Sequence, residues 1–119
     1  MLENVARDLR LGGTFVIDVV GKEVLARMFV SRDWHELPDG GFWLEERHVD
    51  GGWSWMRNRW VLVRGGRHEE FMVEHRLYSA GELTALLHEA GFASAEPFGN
   101  LQGAPYDEKA ERLVVVARK

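Results

Sequence analysis

The chain has 119 residues, 45% of them hydrophobic and 29% charged, with a formal net charge of -4 and no cysteine. That balance suits one folded domain over residues 1–119 and excludes a disulfide framework, a thiolate nucleophile and a cysteine-ligated metal site. Lysine and arginine are scattered, which gives no basic footprint for nucleic acid or an anionic membrane. No apolar run approaches the roughly 20 residues of a membrane helix, and "MLENVARDLR" lacks the apolar core of a secretory signal, so the expectation is a cytoplasmic protein.

Leu2, Val5, Ala6 and Leu9 recur at helical spacing, and Gly12-Gly13 supplies a left-handed stop. "TFVIDVV", residues 14–20, is nearly continuous β-branched and aromatic sequence and reads as a strand buried on both faces, which implies neighbours on either side. After Gly21, Val24, Leu25, Met28 and Phe29 share one face of a short helix ending near "SRDWHELPDGG".

The middle reads as three strands of an antiparallel meander, "FWLEERHV", "WSWMRNRWVLV" and "HEEFMVEHRLY", broken by Asp50-Gly51-Gly52 and Gly65-Gly66. Alternation places Trp53, Trp55, Arg57, Arg59, Val61 and Val63 opposite Ser54, Met56, Asn58, Trp60 and Leu62. In the third strand it places Arg76 and Tyr78 on one face. "SAGELTALLHEAGF" carries a capping box in Ser79 and Glu82, a buried stripe of Leu83, Leu86, Leu87 and Ala90, and a stop at Gly91-Phe92. "SAEPFG" is expected at a sheet edge because of Pro97, and "ERLVVVARK" as a strand with a buried centre.

In order, "LRLGGTFVIDVVGKE", the tryptophan-rich meander, "HRLYSAGELTALLHEAGF" and "GAPYDEKAERLVVVARK" resemble the C-terminal half of a Rossmann-like (class I) S-adenosylmethionine-dependent methyltransferase. The resemblance implies an α/β fold: the last three strands of the methyltransferase sheet, with the three-stranded meander inserted. It also implies S-adenosylmethionine as cofactor of the complete enzyme and a small-molecule methyl acceptor. The family's glycine-rich turn after the first strand and the acidic residue ending the second have no counterpart here, since Gly12-Gly13 follows a helix and precedes a strand. No cofactor-binding residue is therefore assigned, and the chain alone is expected to bind no cofactor. The missing sheet partners would lie upstream.

His35, His48, His68, His75 and His88 show no ligand spacing, so no metal site is expected. Glu45-Glu46 and Glu69-Glu70 are adjacent strand residues that point to opposite faces and read as solvated charges. What remains is a polar-aromatic set: Trp55, Arg57, Asn58, Trp60, Arg76 and Tyr78 on the meander, with Trp34 and Tyr106 in loops. The resemblance implies that substrate approaches the carboxyl ends of the strands, which would put Asp18 and the meander over the methyl-transfer site as a lid. The competing reading is that the indoles only pack a sheet or a dimer interface, in a non-catalytic α+β interaction module. No catalytic base is assigned. An uncovered edge on residues 14–20 favours a homo-oligomer, with element exchange as one route, and nucleic acid is the least favoured partner.

Overall fold

The computed structural model describes residues 2–119. In chain order the elements are α1 (Leu2–Asp8), β1 (Thr14–Val19), α2 (Lys22–Met28), β2 (Arg32–Glu36), β3 (Phe42–Val49), β4 (Trp55–Arg64), β5 (Arg67–Arg76), α3 (Ala80–Glu89), β6 (Ser94–Phe98) and β7 (Leu113–Arg118). Contacts group them into two compact units, Phe29–Leu77 forming one and the segments on either side of it the other.

The flanking unit is built on an antiparallel sheet of order β1-β7-β6. In β7, Leu113, Val114, Val115 and Ala117 are buried, the centre its sequence predicts, while β6 with Pro97 takes an edge. Leu113, Val115 and Ala117 join Ala6, Leu83, Leu87 and Phe92 in one core cluster. Phe15 stacks on Phe92 with centroids 5.9 Å apart.

The termini of the helices are closed by local chemistry. Gly12 adopts φ +81, and Gly12 N–H donates to the Lys119 carbonyl at 3.0 Å while Lys119 N–H returns a bond to Gly13 at 3.0 Å. The Lys119 amine also donates to the Leu9 carbonyl at 2.5 Å, which places a cation on an acceptor just past the end of α1. At α3 the capping box is present, and Gly91 at φ +113 ends the helix.

Two expectations for this unit change. β1 is not buried on both faces: Phe15, Ile17 and Val19 turn toward the core strand, but Val16 stays 49% and Val20 40% exposed. The reason is that only the face carrying Phe15, Ile17 and Val19 packs on the core cluster; among the described residues nothing in that cluster covers Val16. In α3, Leu83 and Leu87 are buried as read, whereas Leu86 is turned outward and exposed.

The central unit is a meander of four strands, order β2-β3-β4-β5, rather than three. The added strand, β2, is polar except for Trp34, so no apolar alternation announces it; it forms because residues 32–36 find the β3 edge in register from Arg32↔Glu46 to Glu36↔Phe42. The β4–β5 hairpin closes on Gly65-Gly66, both at positive φ, as a two-residue loop between twisted strands requires. Trp53 also moves: it lies in the turn at φ +57, outside β4, with Phe29 edge-on at 6.1 Å. Asp50 holds that turn by accepting from the N–H groups of Ser54 and Trp55 at 3.0 and 3.2 Å.

Glu82 links α3 to α2, accepting from the Lys22 ammonium at 2.7 Å and from the Ser79 N–H at 3.0 Å. The Lys22 bond first, then the Ser79 backbone, holds its carboxyl at about 2, below the usual 4.5. Between those values the unfolded chain takes up a proton that the folded chain refuses, so this contribution is complete above about pH 4.5 and is lost as pH falls toward 2. Glu82→Gln should lower the urea midpoint at pH 7, with the deficit shrinking steadily below pH 4.5. A pH-independent deficit would remove Glu82 from this role.

Candidate functional site

β1 ends at Val19, and Val20 and Gly21 lead directly into α2. A β-carbon at Gly21 would collide with the Tyr106 hydroxyl and meet Leu113 side-chain atoms at 3.1 Å, so glycine makes room for the phenol. Arg27 on α2 donates to the carbonyls of Glu108 and Ala110 and straps that segment to the helix. Glu23 Oε1 accepts from the Ala80 N–H at 2.7 Å, which fixes its carboxylate against the first turn of α3. Glu23, Val24, Arg27, Ala80, Tyr106, Asp107 and Glu108 line a cleft of about 530 Å³. The Tyr106 hydroxyl is shielded from solvent and makes no well-formed hydrogen bond among the described residues, although the Val24 backbone and the Glu23 carboxylate lie close to it. Burial, then the Glu23 charge, pushes the phenol up to about 12, so it stays neutral.

In the central sheet the observed register keeps Trp55, Arg57, Arg59, Val61 and Val63 on one face and Met56, Asn58, Trp60 and Leu62 on the other. On the first face Arg76 lies opposite Trp55, its guanidinium carbon 6.0 Å from the indole centroid, and Arg57 meets Glu74 at 3.0 Å. His48 and Asp50 help line the depression beside them, about 380 Å³. Farther along, Trp34 packs on Phe42 at 5.8 Å over Leu44 and Val61. On the opposite face Asn58 is 6% exposed and its Oδ1 has no partner, although its neighbours are satisfied: Glu45 accepts from the Trp43 indole at 2.7 Å and pairs with Arg47.

The expected residues thus separate. Trp55, Arg57 and Arg76 come together; Asn58 points away from them; and Trp34, expected in a loop, lies on β2 at the other end of the face. Tyr78 does not share a strand face with Arg76, because β5 stops at Arg76 and Leu77 N–H turns to the Ser54 carbonyl. Tyr78 instead packs against the core of the flanking unit and accepts from Lys22 N–H at 2.9 Å. Tyr106 is in a loop as expected, and Asp18 is held by Arg112 at 2.9 Å. The sequence reading missed Gly21, Glu23 and Arg27. A glycine between a strand run and a helix start was a usable signal for the first; Arg27 gave none, because its partners are backbone carbonyls far along the chain.

No family model matches the sequence, and no curated protein matches it. Solved structures do. The chain superposes on the CcbJ methyltransferase from Streptomyces caelestis with a TM-score of 0.82 and 21% identity, covering 98% of this chain and 47% of that one. The chain shares the fold of about half of that protein. An S-adenosylmethionine-dependent methyltransferase from Clostridium acetobutylicum gives 0.79 and 14% identity over 98% of this chain and 48% of its own. The sugar N-methyltransferase KedS8 from Streptoalloteichus gives 0.62 and 21% over 99% and 47%. The chain therefore spans about half the length of the methyltransferases it matches.

The Gly21–Tyr106 packing is directly testable. Gly21→Ala should destabilise the protein by about 1–3 kcal/mol in urea titrations, because a rigid phenol has no room to yield. Adding Tyr106→Phe should recover most of the loss. Equal losses in the single and double variants would show that the hydroxyl is not the obstacle.

Proposed function

We propose that this chain is the substrate-side, C-terminal half of an S-adenosylmethionine-dependent methyltransferase domain, in a cytoplasmic enzyme acting on a small molecule. The observation that carries the reading is the superposition over 98% of this chain and 47% of a methyltransferase. On this reading β1, β7 and β6 are the last three strands of a Rossmann-like sheet, and the central meander is the substrate lid, with Trp55, Arg57 and Arg76 on its working face. Arg76 offers a fork of donors to a carbonyl or anionic group of the substrate.

The described residues do not fit the cofactor. Gly12 belongs to a helix-to-strand turn tied to Lys119, and the strand-to-helix turn that has a glycine, Val20-Gly21-Lys22, is filled by the Tyr106 ring. No catalytic step is derived through it, and cofactor binding is assigned to the other half.

The test is calorimetry with S-adenosylmethionine on this chain alone and on the chain joined to its cofactor-binding half. The joined protein should bind at least about a hundredfold more tightly, a difference of roughly 2.7 kcal/mol. Tight binding by this chain alone, or no binding by the joined protein, would overturn the proposal. The second reading, a self-associating α+β module, is favoured by the open edge of β1 with Val16 and Val20 exposed. It expects a homo-oligomer in light scattering, and a folded monomer at high dilution would dismiss it.

A further inference from the structure

We propose that the cleft between α2, the start of α3 and residues 106–108 binds the protonated amine of a small organic molecule, with the Glu23 carboxylate and the Tyr106 ring as its recognition groups. Naming this as the substrate's chemical class rests on the methyltransferase reading; the binding itself does not.

Shape comes first. The cleft is a concavity of about 530 Å³ with Val24, Ala80 and Tyr106 among its lining residues, the size of a small-molecule site. Charge selects the ligand. Glu23, Asp107 and Glu108 line it, and none of them forms an ion pair among the described residues. The Arg27 guanidinium is committed to two backbone carbonyls rather than to a carboxylate. Three carboxylates against the one guanidinium leave an excess of negative charge, which an anionic ligand would meet and an ammonium would relieve.

Position narrows the contact to Glu23. One of its oxygens accepts from the Ala80 N–H at 2.7 Å, so the carboxylate is oriented at the cleft beside Tyr106. The Tyr106 ring is held in turn, since its hydroxyl is wedged against Gly21 and the following segment is strapped by Arg27. A fixed aromatic face beside a fixed carboxylate is the arrangement that attracts ammonium groups by cation–π and ionic contact together.

Amide-resolved NMR titration of the full chain with cyclohexylamine, cyclohexanol and cyclohexanecarboxylate at pH 7 tests this, because the three probes share a ring and differ only in the polar group. Cyclohexylamine should shift the amides of Glu23, Val24 and Ala80 saturably, and bind at least about tenfold more tightly than the other two. Glu23→Gln, which keeps an acceptor for Ala80 N–H, should weaken amine binding at least about fivefold with an unchanged melting temperature. Tyr106→Leu, which removes the ring, should weaken it similarly. Equal affinity for amine and alcohol, no saturable shift in a folded wild type, or unchanged binding in Glu23→Gln would overturn the proposal. Amine binding by a joined enzyme that fails to bind S-adenosylmethionine would leave this site standing and remove the methyltransferase reading.

Discussion

The flanking unit depends on the burial of β7. Leu113 and Val115 are wholly removed from solvent, and both edges of the strand are occupied, by β1 and β6. Burying a branched aliphatic side chain of this size contributes about 1.5–3 kcal/mol, so a strand buried along most of its length sets where everything else must lie. Its core face decides which residues of β1 turn inward, which stripe of α3 is apolar, and that α1 contributes Ala6. The far end of β1 is positioned by the same ladder, through Val19↔Leu113, and Leu113 is also one of the groups that crowd Gly21. The cleft is thus held by a core strand, although the residues around it lie on loops and helix ends.

The meander and the cleft handle charge differently. In the meander, carboxylates meet arginines on the neighbouring strand, as in Arg32 with Glu46, Arg57 with Glu74 and Arg59 with Glu70. Such exposed pairs contribute little to stability, but they leave the face with no excess of either sign. The cleft in the flanking unit lacks that pairing, so its charge is open to a ligand. Asn58 is a separate case: a nearly buried acceptor amid satisfied neighbours, for which we have no physical account.

Much of the fold was legible because local signals agreed with it. The capping box, Gly91, the paired glycines at 65 and 66, and the apolar run of β7 each favour the local conformation they adopt. β2 was not legible, since "RDWHE" becomes a strand only by meeting the β3 edge. Trp53 was misplaced because alternation counts residues without seeing that an aspartate side chain can draw a bulky residue into a left-handed turn. Strand period put Trp55 and Arg57 on one face, and the β4–β5 register brings Arg76 to them. The grouping of Glu23, Gly21 and Tyr106 was not legible, because they meet only after α2 and the loop before β7 are brought to one strand end.

The pairing of Thr14 with Arg118 has a consequence for how the protein is made. About a hundred residues separate these partners, and the whole central meander is synthesised between them. Its hairpins join strands close in sequence and are able to form as soon as they emerge, whereas the edge of β1 that pairs with β7 must wait for it. During translation the β7-facing edge of "TFVIDV", a stretch of high β-propensity, is therefore covered late, and a nascent chain stalled before β7 would present that edge to chaperones or to other chains.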